Sequence, residues 1–484
     1  MQKIASIFVL CLGIALIFSC RKDAIETSNS VTLNFSADTI LFDTVFATFG
    51  STTKRFKIYN PTNKTVNISN ISVGNGANSQ FRINIDGLSG NTHNNVLIDG
   101  KDSLFLFAEV TIDPTNALSP FVATDQINFT TNGNKQSITL VAWGQNAHYY
   151  VANKSVNGIP IVYLDRENSD LALDSTWTND KPYVIYGGYL TLDGNDKLTI
   201  GPGVQIHSHN NSGIWVYEDA NIIVNGTKDE PVVFQGTRLE YAWQDRPGQW
   251  DRIWLNEGNA DNVFNYAVIK NAFIGIQAET NPFNAAPTSI NNKLRLNHCK
   301  IHNNSAVGIL ATNYQITDTN SVISNSGQYN LLIKGDGAYS FNHTTFANYW
   351  TGGERKTPSI LLQNAYTNSA GSLIGTNLTA ANFNNCIIDG DQEIEFSAEN
   401  ISGGTMNFLL DHCALKTTSS TAGANYVNIK VNPGDLFVDK ILHDYHLIGG
   451  AQAINSGNSG LGITIDHDDS PRDVSPDIGA YEYQ

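Results

Sequence analysis

Six short segments of the chain follow one pattern, which restricts the possible folds more than any other feature of the sequence. The segments read FNYAVIKNA, LNHCKIHNN, DTNSVISNS, FNHTTFANY, FNNCIIDGD and LDHCALKTT. Their fourth residues are small: Ala267, Cys299, Ser321, Thr344, Cys386 and Cys413. These positions lie 32, 22, 23, 42 and 27 residues apart, which indicates a basic step with loop insertions. Such a step is typical of a parallel β-helix, in which each coil stacks on the previous one.

The aligned small residues are expected to share one inward-facing position in a dry core. Their cysteines predict neither a disulfide framework nor a zinc site, since none has CxxC spacing. Four residues after the small residue, the first four segments carry an asparagine: Asn271, Asn303, Asn325 and Asn348. Asparagine tolerates left-handed backbone angles and its amide can bond the next coil, so we expect a ladder of turns there. The ladder ends at Gly390 and Thr417.

Short strands with alternating apolar residues accompany these segments, among them GIWVYE, DRIWLN and IGIQAE. Because side chains alternate along a strand, the repeated apolar positions are predicted to face the core: Ile214, Val216, Ile253, Leu255, Ile276, Ala278, Ile309, Ala311, Leu331 and Ile333. The residues between them then face outward. Trp215 is expected beside Trp254, at the ~4.8 Å spacing of neighbouring strands. Tyr217 is expected beside Asn256, with Arg252 on the same outward row.

This outward row predicts a ligand site. Exposed indole rings on a flat sheet can stack against sugar rings, while amide, carboxylate and guanidinium groups bond the hydroxyls. The predicted ligand-binding residues are Trp215, Tyr217, Arg252, Trp254 and Asn256. One alternative is that the insertion at residues 240–248, EYAWQDRPG, folds over both tryptophans and buries them.

A catalytic cleft is the other alternative for the same surface. Its candidates are Arg252, Glu257 and Glu279. A hydrolase needs a pair of carboxylates at a defined separation, and solvated surface acids remain the ordinary interpretation of such glutamates. No catalytic set is therefore assigned.

Residues 31–148 have a different texture. Short strands alternate with turns, as in TLNFS, DSLFLFAEVTIDP and DQINFTTNGNKQSITLVAWG, which predicts an antiparallel β-sandwich. The pieces GSTTKRFKIYNPTN, VTIDPTN and TNGNKQSITLVAWG resemble immunoglobulin-like modules of the ASH/HYDIN class. The predicted fold class is all-β, with an immunoglobulin-like sandwich followed by a parallel β-helix over residues 150–440.

The N-terminus has the pattern of a targeting segment. Residues 1–19 place Lys3 before an apolar run and predict a signal peptide. The ending LIFSC resembles a bacterial lipobox, with Cys20 as the acylated residue, and CRKDAIE resembles a signal for export to the cell surface. Residues 20–30 are then a polar tether. We expect a lipoprotein attached to the outer membrane through Cys20, surface-exposed or otherwise facing the periplasm.

The charge balance narrows the range of partners. Lys and Arg number 29 against 45 Asp and Glu, for a net charge of −16. Nucleic acid requires a basic face and is excluded as a partner. Long acidic polymers are disfavoured unless a local basic patch exists.

The C-terminal region, residues 441–484, is predicted to cap the last coil, because an open solenoid end exposes core and strand edges. Its DIGAYEYQ ending is expected to form the last covering strand. Asp466, Asp468 and Asp473 are candidate calcium ligands in a Gly- and Pro-rich stretch. The spacing is not that of an EF-hand, and the alternative is that these carboxylates support turns. No other cofactor is expected.

Two longer stretches carry a family resemblance. PGQWDRIWLNEGNADNVFNYAVIKNAFIGIQ and DHDDSPRDVSPDIGAYEYQ resemble motifs of Bacteroidetes lipoproteins with a right-handed parallel β-helix, broadly pectate-lyase-like in fold. The resemblance covers residues 150–484 and implies a right-handed β-helix. It implies no single activity, because such folds include lyases, hydrolases and binding proteins. Lyases of this class combine calcium-binding acids with a Lys or Arg base, and no matching set is present in register.

Three functions remain open. The first is a surface lipoprotein that binds polysaccharide or another surface ligand without catalysis. The second is a polysaccharide lyase or glycoside hydrolase acting on the lateral face of the β-helix. The third is a structural adhesin that binds protein partners through its sandwich.

Overall fold

The protein consists of two compact units that divide between Asn146 and Ala147. In this computed structural model, the structure describes residues 24–48, 50–113, 121–165, 172–258, 260–283 and 293–484. The all-β prediction is confirmed, because strands dominate both units. In these ranges the helical elements are three short 3₁₀ turns, Gly76–Asn78, Tyr241–Trp243 and Ser459–Leu461. None of them has the length or apolar character needed to cross a membrane.

The first unit contains two sheets whose buried apolar side chains form one core. Within the described residues, one sheet has six strands: Ile25–Glu26, Thr39–Phe46, Thr65–Val73, Thr92–Ile98, Phe121–Thr131 and Asn134–Gln145. The other has five: Asn34–Phe35, Lys54–Tyr59, Phe81–Ile85, Leu88–Gly90 and Ser103–Val110. Side chains alternate between core and solvent along these strands, as expected for a sheet with one buried face.

The N-terminal strand of this unit differs from the expected tether. Ile25–Glu26 pairs in parallel with Thr65–Val66, so part of the 20–30 segment belongs to a sheet. Its backbone groups find sheet partners there, and polar composition alone gives no sign of this. The predicted lipidation at Cys20 and the signal segment at 1–19 lie outside the described residues.

The second unit contains two long sheets, made mainly of parallel strands. Within the described part of the chain, the first sheet has eleven strands: His148–Val151, Tyr183–Tyr186, Gln205–Ser208, Val232–Gly236, Ala267–Lys270, Lys300–His302, Val322–Ser324, Thr345–Asn348, Ile387–Gly390, Ala414–Leu415 and Lys430–Val431.

The second long sheet has eighteen strands over the same described ranges. They are Lys154–Val156, Ile159–Tyr163, Asp174–Trp177, Tyr189–Leu192, Lys197–Ile200, Gly213–Val216, Asn221–Asn225, Ile253–Leu255, Asn262–Asn265, Ile274–Glu279, Lys293–Asn297, Val307–Thr319, Tyr329–Asn342, Ile360–Gln363, Leu378–Asn384, Phe396–Glu399, Met406–Asp411 and Tyr426–Val427. Two rows of strands make up this sheet, and both rows pair with the long Val307–Thr319 strand. Two small hairpins complete the unit: Ala365–Thr367 with Leu373–Gly375, and Phe437–Asp439 with Asp444–Leu447.

The chain visits the rows of strands in turn and then pairs with its own previous passage. One passage runs through Gln205–Ser208, Gly213–Val216 and Asn221–Asn225, and the following strand, Val232–Gly236, pairs in parallel with Gln205–Ser208. The residues directly after the aligned small positions form one register column: Val268, Lys300, Val322, Thr345, Ile387 and Ala414. The predicted alignment of the six segments is therefore confirmed.

The inward-facing positions form the main core of this unit. All ten predicted apolar positions, from Ile214 to Ile333, are fully buried, and so are the six aligned small residues. Cys299 Sγ donates to the carbonyl of Phe264 at 3.3 Å, and Cys413 Sγ to that of Phe383 at 3.2 Å. Burial raises the pKa of Cys299 to about 12, so this thiol stays protonated and acts as a small apolar filler.

Left-handed backbone positions occur in two columns. Asn271, Asn303 and Asn325 have φ of 64°, 59° and 50°, which confirms the turn ladder for these three. Asn348 does not have a positive φ; it ends a strand, and its Oδ1 accepts from the backbone of Ser326. The second column was not predicted, and its residues directly precede the aligned small residues: Tyr266, His298, Asn320, His343, Asn385 and His412.

The C-terminal residues lie along the flank of the eleven-stranded sheet, in contrast to the predicted cap over an open end. Apolar residues from 436–481 cover the outward side chains of Val322, Ala347, Ile387 and Ala414 and form a second core with them. The predicted strand at DIGAYEYQ is wrong, since residues 477–484 are in no strand. Instead, the backbone N–H of Gly479 donates to the carbonyl of Asn385, and that of Ala480 to Thr345 Oγ1.

Candidate functional site

Trp215 and Trp254 stack outside the main core, on neighbouring strands of the eighteen-stranded sheet. Their ring centroids are 4.6 Å apart with an interplanar angle of 10°, and they pair in register as predicted. The prediction that they are exposed is wrong, because Trp215 is 0% and Trp254 8% accessible. They belong to a small separate core with Ile161 and Tyr189. An open indole platform for sugar is therefore absent at these two residues.

The cover over this stack comes from two places that were not predicted. The Ile159–Tyr163 strand packs its apolar side chains against the indoles. Phe283 lies with its ring 6.1 Å from Trp215 and 6.2 Å from Trp254. Neither segment is close in sequence to the tryptophans, so local patterning could not identify them.

The 240–248 insertion lies against a different part of the unit. The amide of Asn271 donates to the carbonyl of Gln244 at 2.7 Å, and that of Asn303 to the carbonyl of Asp245 at 2.6 Å. Trp243 of the insertion packs under the guanidinium of Arg238 at 3.8 Å. The insertion thus satisfies the asparagine ladder, and the alternative that it covers the tryptophans is wrong.

Both indole N–H groups are used within the site. Trp215 Nε1 donates to Asn256 Oδ1 at 2.7 Å, and Trp254 Nε1 donates to Glu279 Oε1 at 2.8 Å. Glu279 also accepts from Gln277 Nε2 at 2.6 Å. Burial raises the pKa of Glu279, although these two donors oppose the shift. The stacked rings thus hold one carboxylate and one amide in fixed positions.

Arg252 links this carboxylate to a second one. Its guanidinium donates to Asp251 Oδ1 at 2.9 Å and also to the side-chain carbonyl of Gln277. Tyr189 donates its hydroxyl to the other oxygen of Asp251. Burial, followed by the neighbouring Asp251 charge, raises the pKa of Tyr189, so the phenol stays protonated. Side chains of Asp251 and Arg252 remain about one fifth accessible, at 19% and 21%.

A second polar group lies beyond Asn256. Asn281 donates its amide to Tyr217 Oη at 2.9 Å and to Glu218 Oε1 at 2.6 Å. Its backbone N–H donates to the carboxylate of Glu257. Tyr217 and Glu257 are half-buried, so this group forms an acidic margin to the site.

Asp251, Arg252, Gln277 and Glu279 form a polar row, and an exposed aromatic ring lies at each end of it. Phe273 precedes the Ile274–Glu279 strand and has the Arg252 guanidinium 5.8 Å from its ring centre. Phe283 follows the strand and is also exposed. At ~3.3 Å per residue, the six steps from Phe273 to Glu279 extend about 20 Å. The hydrogen-bonding groups that a ligand can reach in this row are those of Asp251 and Arg252, because Gln277 is only 8% accessible. Polar groups between two apolar surfaces are the combination that binds sugars.

The structure places several of the residues selected from the sequence near one another. Tyr217, Arg252, Asn256 and Glu279 lie in one connected region, with Glu257 at its margin. Asn256 is only 1% accessible, however, so the prediction that its side chain faces solvent is wrong. The members that it missed are Tyr189, Asp251, Gln277 and Asn281. Gln277 alone had a local signal, as the outward residue between the inward Ile276 and Ala278.

The candidate calcium ligands support the backbone of the C-terminal segment. Asp466 Oδ1 accepts from the N–H groups of Asp468 and Ser470, and its Oδ2 accepts from that of Glu482. Asp468 pairs with His446 at 3.0 Å, and Asp473 accepts from the backbone of Ser475. No group of three His, Cys, Asp or Glu side chains within the described ranges has metal-site geometry. These contacts are those of carboxylates that support turns.

Comparison with known proteins gives little additional information. No protein-family model matches the chain, and no curated protein matches it. Among solved structures, it is similar to a family 123 glycoside hydrolase from Clostridium perfringens, described with its glycolipid glycan hydrolysis, at 10% identity and a TM-score of 0.18. That match covers 25% of this chain and 30% of the other. Likeness at this level supports no conclusion about activity.

Proposed function

We propose that the protein is a surface-anchored lipoprotein that binds a neutral polysaccharide without cleaving it. Its second unit is a right-handed parallel β-helix, and its first unit is an immunoglobulin-like sandwich that follows the lipid anchor in the sequence. The repeated passages and the single register column support the β-helix assignment. The LIFSC ending at Cys20 supports the lipid anchor.

The observation that carries the binding proposal is the row Asp251–Arg252–Gln277–Glu279 between two exposed phenylalanines. Its groups are positioned by a rigid, buried indole stack, so little ordering entropy is lost when a sugar binds. Acidic groups outnumber the one arginine, which favours uncharged hydroxyls over an anionic polymer. Phe273 and Phe283 provide the apolar contacts that the buried tryptophans cannot.

The test uses the chain from Lys22 to Gln484 and a panel of neutral polysaccharides in affinity electrophoresis. Phe273→Ala and Arg252→Gln are expected to weaken binding about tenfold each, which corresponds to about 1.4 kcal/mol. Matched controls are Tyr241→Ala and Arg246→Gln, an exposed aromatic ring and an exposed arginine of the 240–248 insertion. Equal binding by all four variants, or retention of none of the polymers, would refute the proposal.

A glycoside hydrolase is the second candidate, and one observation favours it. Glu279 has a raised pKa from burial, and Asp251 lies at the other end of the Arg252–Gln277 link. A buried acid with a raised pKa and a second carboxylate in the same cluster are the two groups from which a glycosidase pair is built. Small products after incubation with a bound polysaccharide, lost in Glu279→Gln, would establish this activity in place of simple binding.

A further inference from the structure

The two sheets of the first unit differ in charge. The strands of the five-stranded sheet carry four cations and one acid: Lys54, Arg55, Lys57, Arg82 and Glu109. The strands of the six-stranded sheet carry three acids and one lysine: Glu26, Asp43, Asp125 and Lys135. Lys54 pairs with Asp43 of the other sheet at 3.4 Å, so the charged side chains on the solvent-facing side of the five-stranded sheet are Arg55, Lys57 and Arg82 against Glu109. In a chain with a net charge of −16, this face is a local basic patch.

Two phenylalanines lie exposed in the middle of this basic sheet. Phe105 and Phe107 are 39% and 38% accessible, on the outward side of the Ser103–Val110 strand, whose Leu106 and Ala108 face the core. Their rings stack at 6.2 Å with an interplanar angle of 26°. Exposing two adjacent apolar rings to water costs free energy that a ligand covering them would recover, so the pair marks a binding surface.

Cations flank both rings. Lys57 is opposite Phe105 in the ladder and holds its Nζ 4.7 Å from the ring centre. Arg55 is opposite Phe107 and exposed, and its guanidinium has no hydrogen-bond or ion-pair partner within the described residues. Across the other edge of the strand, Arg82 is opposite Glu109. Each ring is thus accompanied by a positive group that can reach an anion lying on it.

A cavity of about 480 Å³ opens beside Phe107. Its lining includes Arg82, Asn84, Ser89 and Glu109. Arg82 already donates one nitrogen to the carbonyl of Ser79 at 2.6 Å, which fixes the position of its guanidinium. A concave site with an aromatic wall and several polar groups suits a compact ring with substituents better than a flat membrane surface.

We infer that this face of the first unit binds an anionic polysaccharide, whose sugar rings stack on Phe105 and Phe107. Carboxylate or sulfate groups of the polymer pair with Arg55, Lys57 and Arg82. A guanidinium binds such groups in a bidentate manner, and a ring beside it adds apolar contact. This site lies on the first unit and is separate from the polar row around Arg252 in the second unit. Its binding of an anionic polymer does not depend on whether that row binds a neutral glycan.

The test measures affinity of the Lys22–Gln484 chain for polygalacturonate, heparin and dextran at low and high salt. Wild type is expected to bind the two anionic polymers and not dextran through this face, with affinity that falls as salt rises. Phe105→Ala/Phe107→Ala and Arg55→Glu are each expected to weaken anionic binding about tenfold or more. Matched controls on the six-stranded sheet are Leu41→Ala/Leu97→Ala and Lys135→Glu, all exposed, which are expected to bind like wild type.

Several outcomes would overturn the inference. Unchanged anionic binding in the Phe and Arg55 variants would place the anionic polymer elsewhere, and no binding of either polymer would remove the ligand class. Tighter association with phosphatidylglycerol vesicles than with the polymers, lost in the same variants, would make the face a membrane contact instead. Arg252→Gln separates the two sites, since it is expected to leave anionic binding unchanged while it weakens neutral glycan binding.

Discussion

Asp318 places a carboxyl group in an otherwise apolar row of the core, and we expect it to make the protein less stable as the pH rises. Residues paired in register along this row are Phe264, Leu296, Asp318, Phe341, Phe383 and Leu410. Asp318 is fully buried. Thr344 donates its hydroxyl to one carboxyl oxygen, while the other has no hydrogen-bond partner among the described residues.

Burial raises the pKa of Asp318 from its ordinary value of 3.8 to about 7. One pKa unit corresponds to about 1.4 kcal/mol, so ionising Asp318 costs about 4 kcal/mol more in the folded protein than in the unfolded chain. The pKa of Asp318 is higher in the folded protein than in the unfolded chain. The contribution of protonated Asp318 to the free energy of unfolding is therefore complete below pH about 4 and is lost as the pH rises to about 7. Between pH 5 and pH 8 the loss amounts to about 3 kcal/mol.

Asp318→Asn removes this ionisation and keeps an acceptor for Thr344. The assay is urea-induced unfolding of the wild type and the variant from pH 5 to pH 8. The variant's advantage in free energy of unfolding is expected to grow by about 3 kcal/mol over this range. Asp229→Asn, in an exposed loop, is the matched control and is expected to follow the wild type. Parallel curves for wild type and Asp318→Asn would refute the reasoning.

Three further predictions concern stability. Arg472→Met should cost about 3–5 kcal/mol in urea unfolding, because it leaves the buried Glu482 carboxylate without its ion-pair partner at 3.1 Å; a loss below about 1 kcal/mol would mean that solvent reaches the pair. Trp215→Ala should cost about 3–5 kcal/mol in the same assay, since the ring is fully buried in its stack; an unchanged midpoint would contradict this burial. Asn303→Ala should lower the free energy of unfolding by about 1–2 kcal/mol, because alanine is strained at the φ of 59° that this position adopts. Asn303→Gly should lower it less, because glycine adopts this φ without strain. Equal losses of stability in both variants would assign the effect to the hydrogen bonds of the Asn303 side chain alone.

The repeat was predictable because its signals are local. A small residue recurs at one inward position of each copy, and apolar residues recur at every second position along a strand, where the side chain faces the core. Cys299, Ser321 and Thr344 therefore fell into one register column as expected. The left-handed column at His298 and Asn320 was missed because histidine is a less familiar signal for that conformation than asparagine.

The burial of Trp215 could not be predicted in the same way. Outward direction follows from strand alternation, but accessibility depends on what packs over the strand. Here the cover comes from Ile159–Tyr163 and Phe283, which are distant in sequence. The same applies to the C-terminal segment, whose Gly- and Pro-rich pattern indicates turns and gives no indication of which surface those turns cover.

The C-terminal segment also determines how the second unit unfolds. In a linear array, each repeat contacts only its neighbours, so the ends can open one repeat at a time. Here Asp469, Asp466, Arg472 and Gly479 bond Tyr266, His298, Asn320 and Asn385, residues from the first, second, third and fifth copies of the repeat.

None of those bonded repeats can open without releasing the segment, so gradual fraying becomes a single cooperative event. The segment is also synthesised after the repeats that it covers. Until it has been synthesised, the apolar flank around Val322 and Ile387 stays uncovered, and a chaperone has that interval in which to bind it.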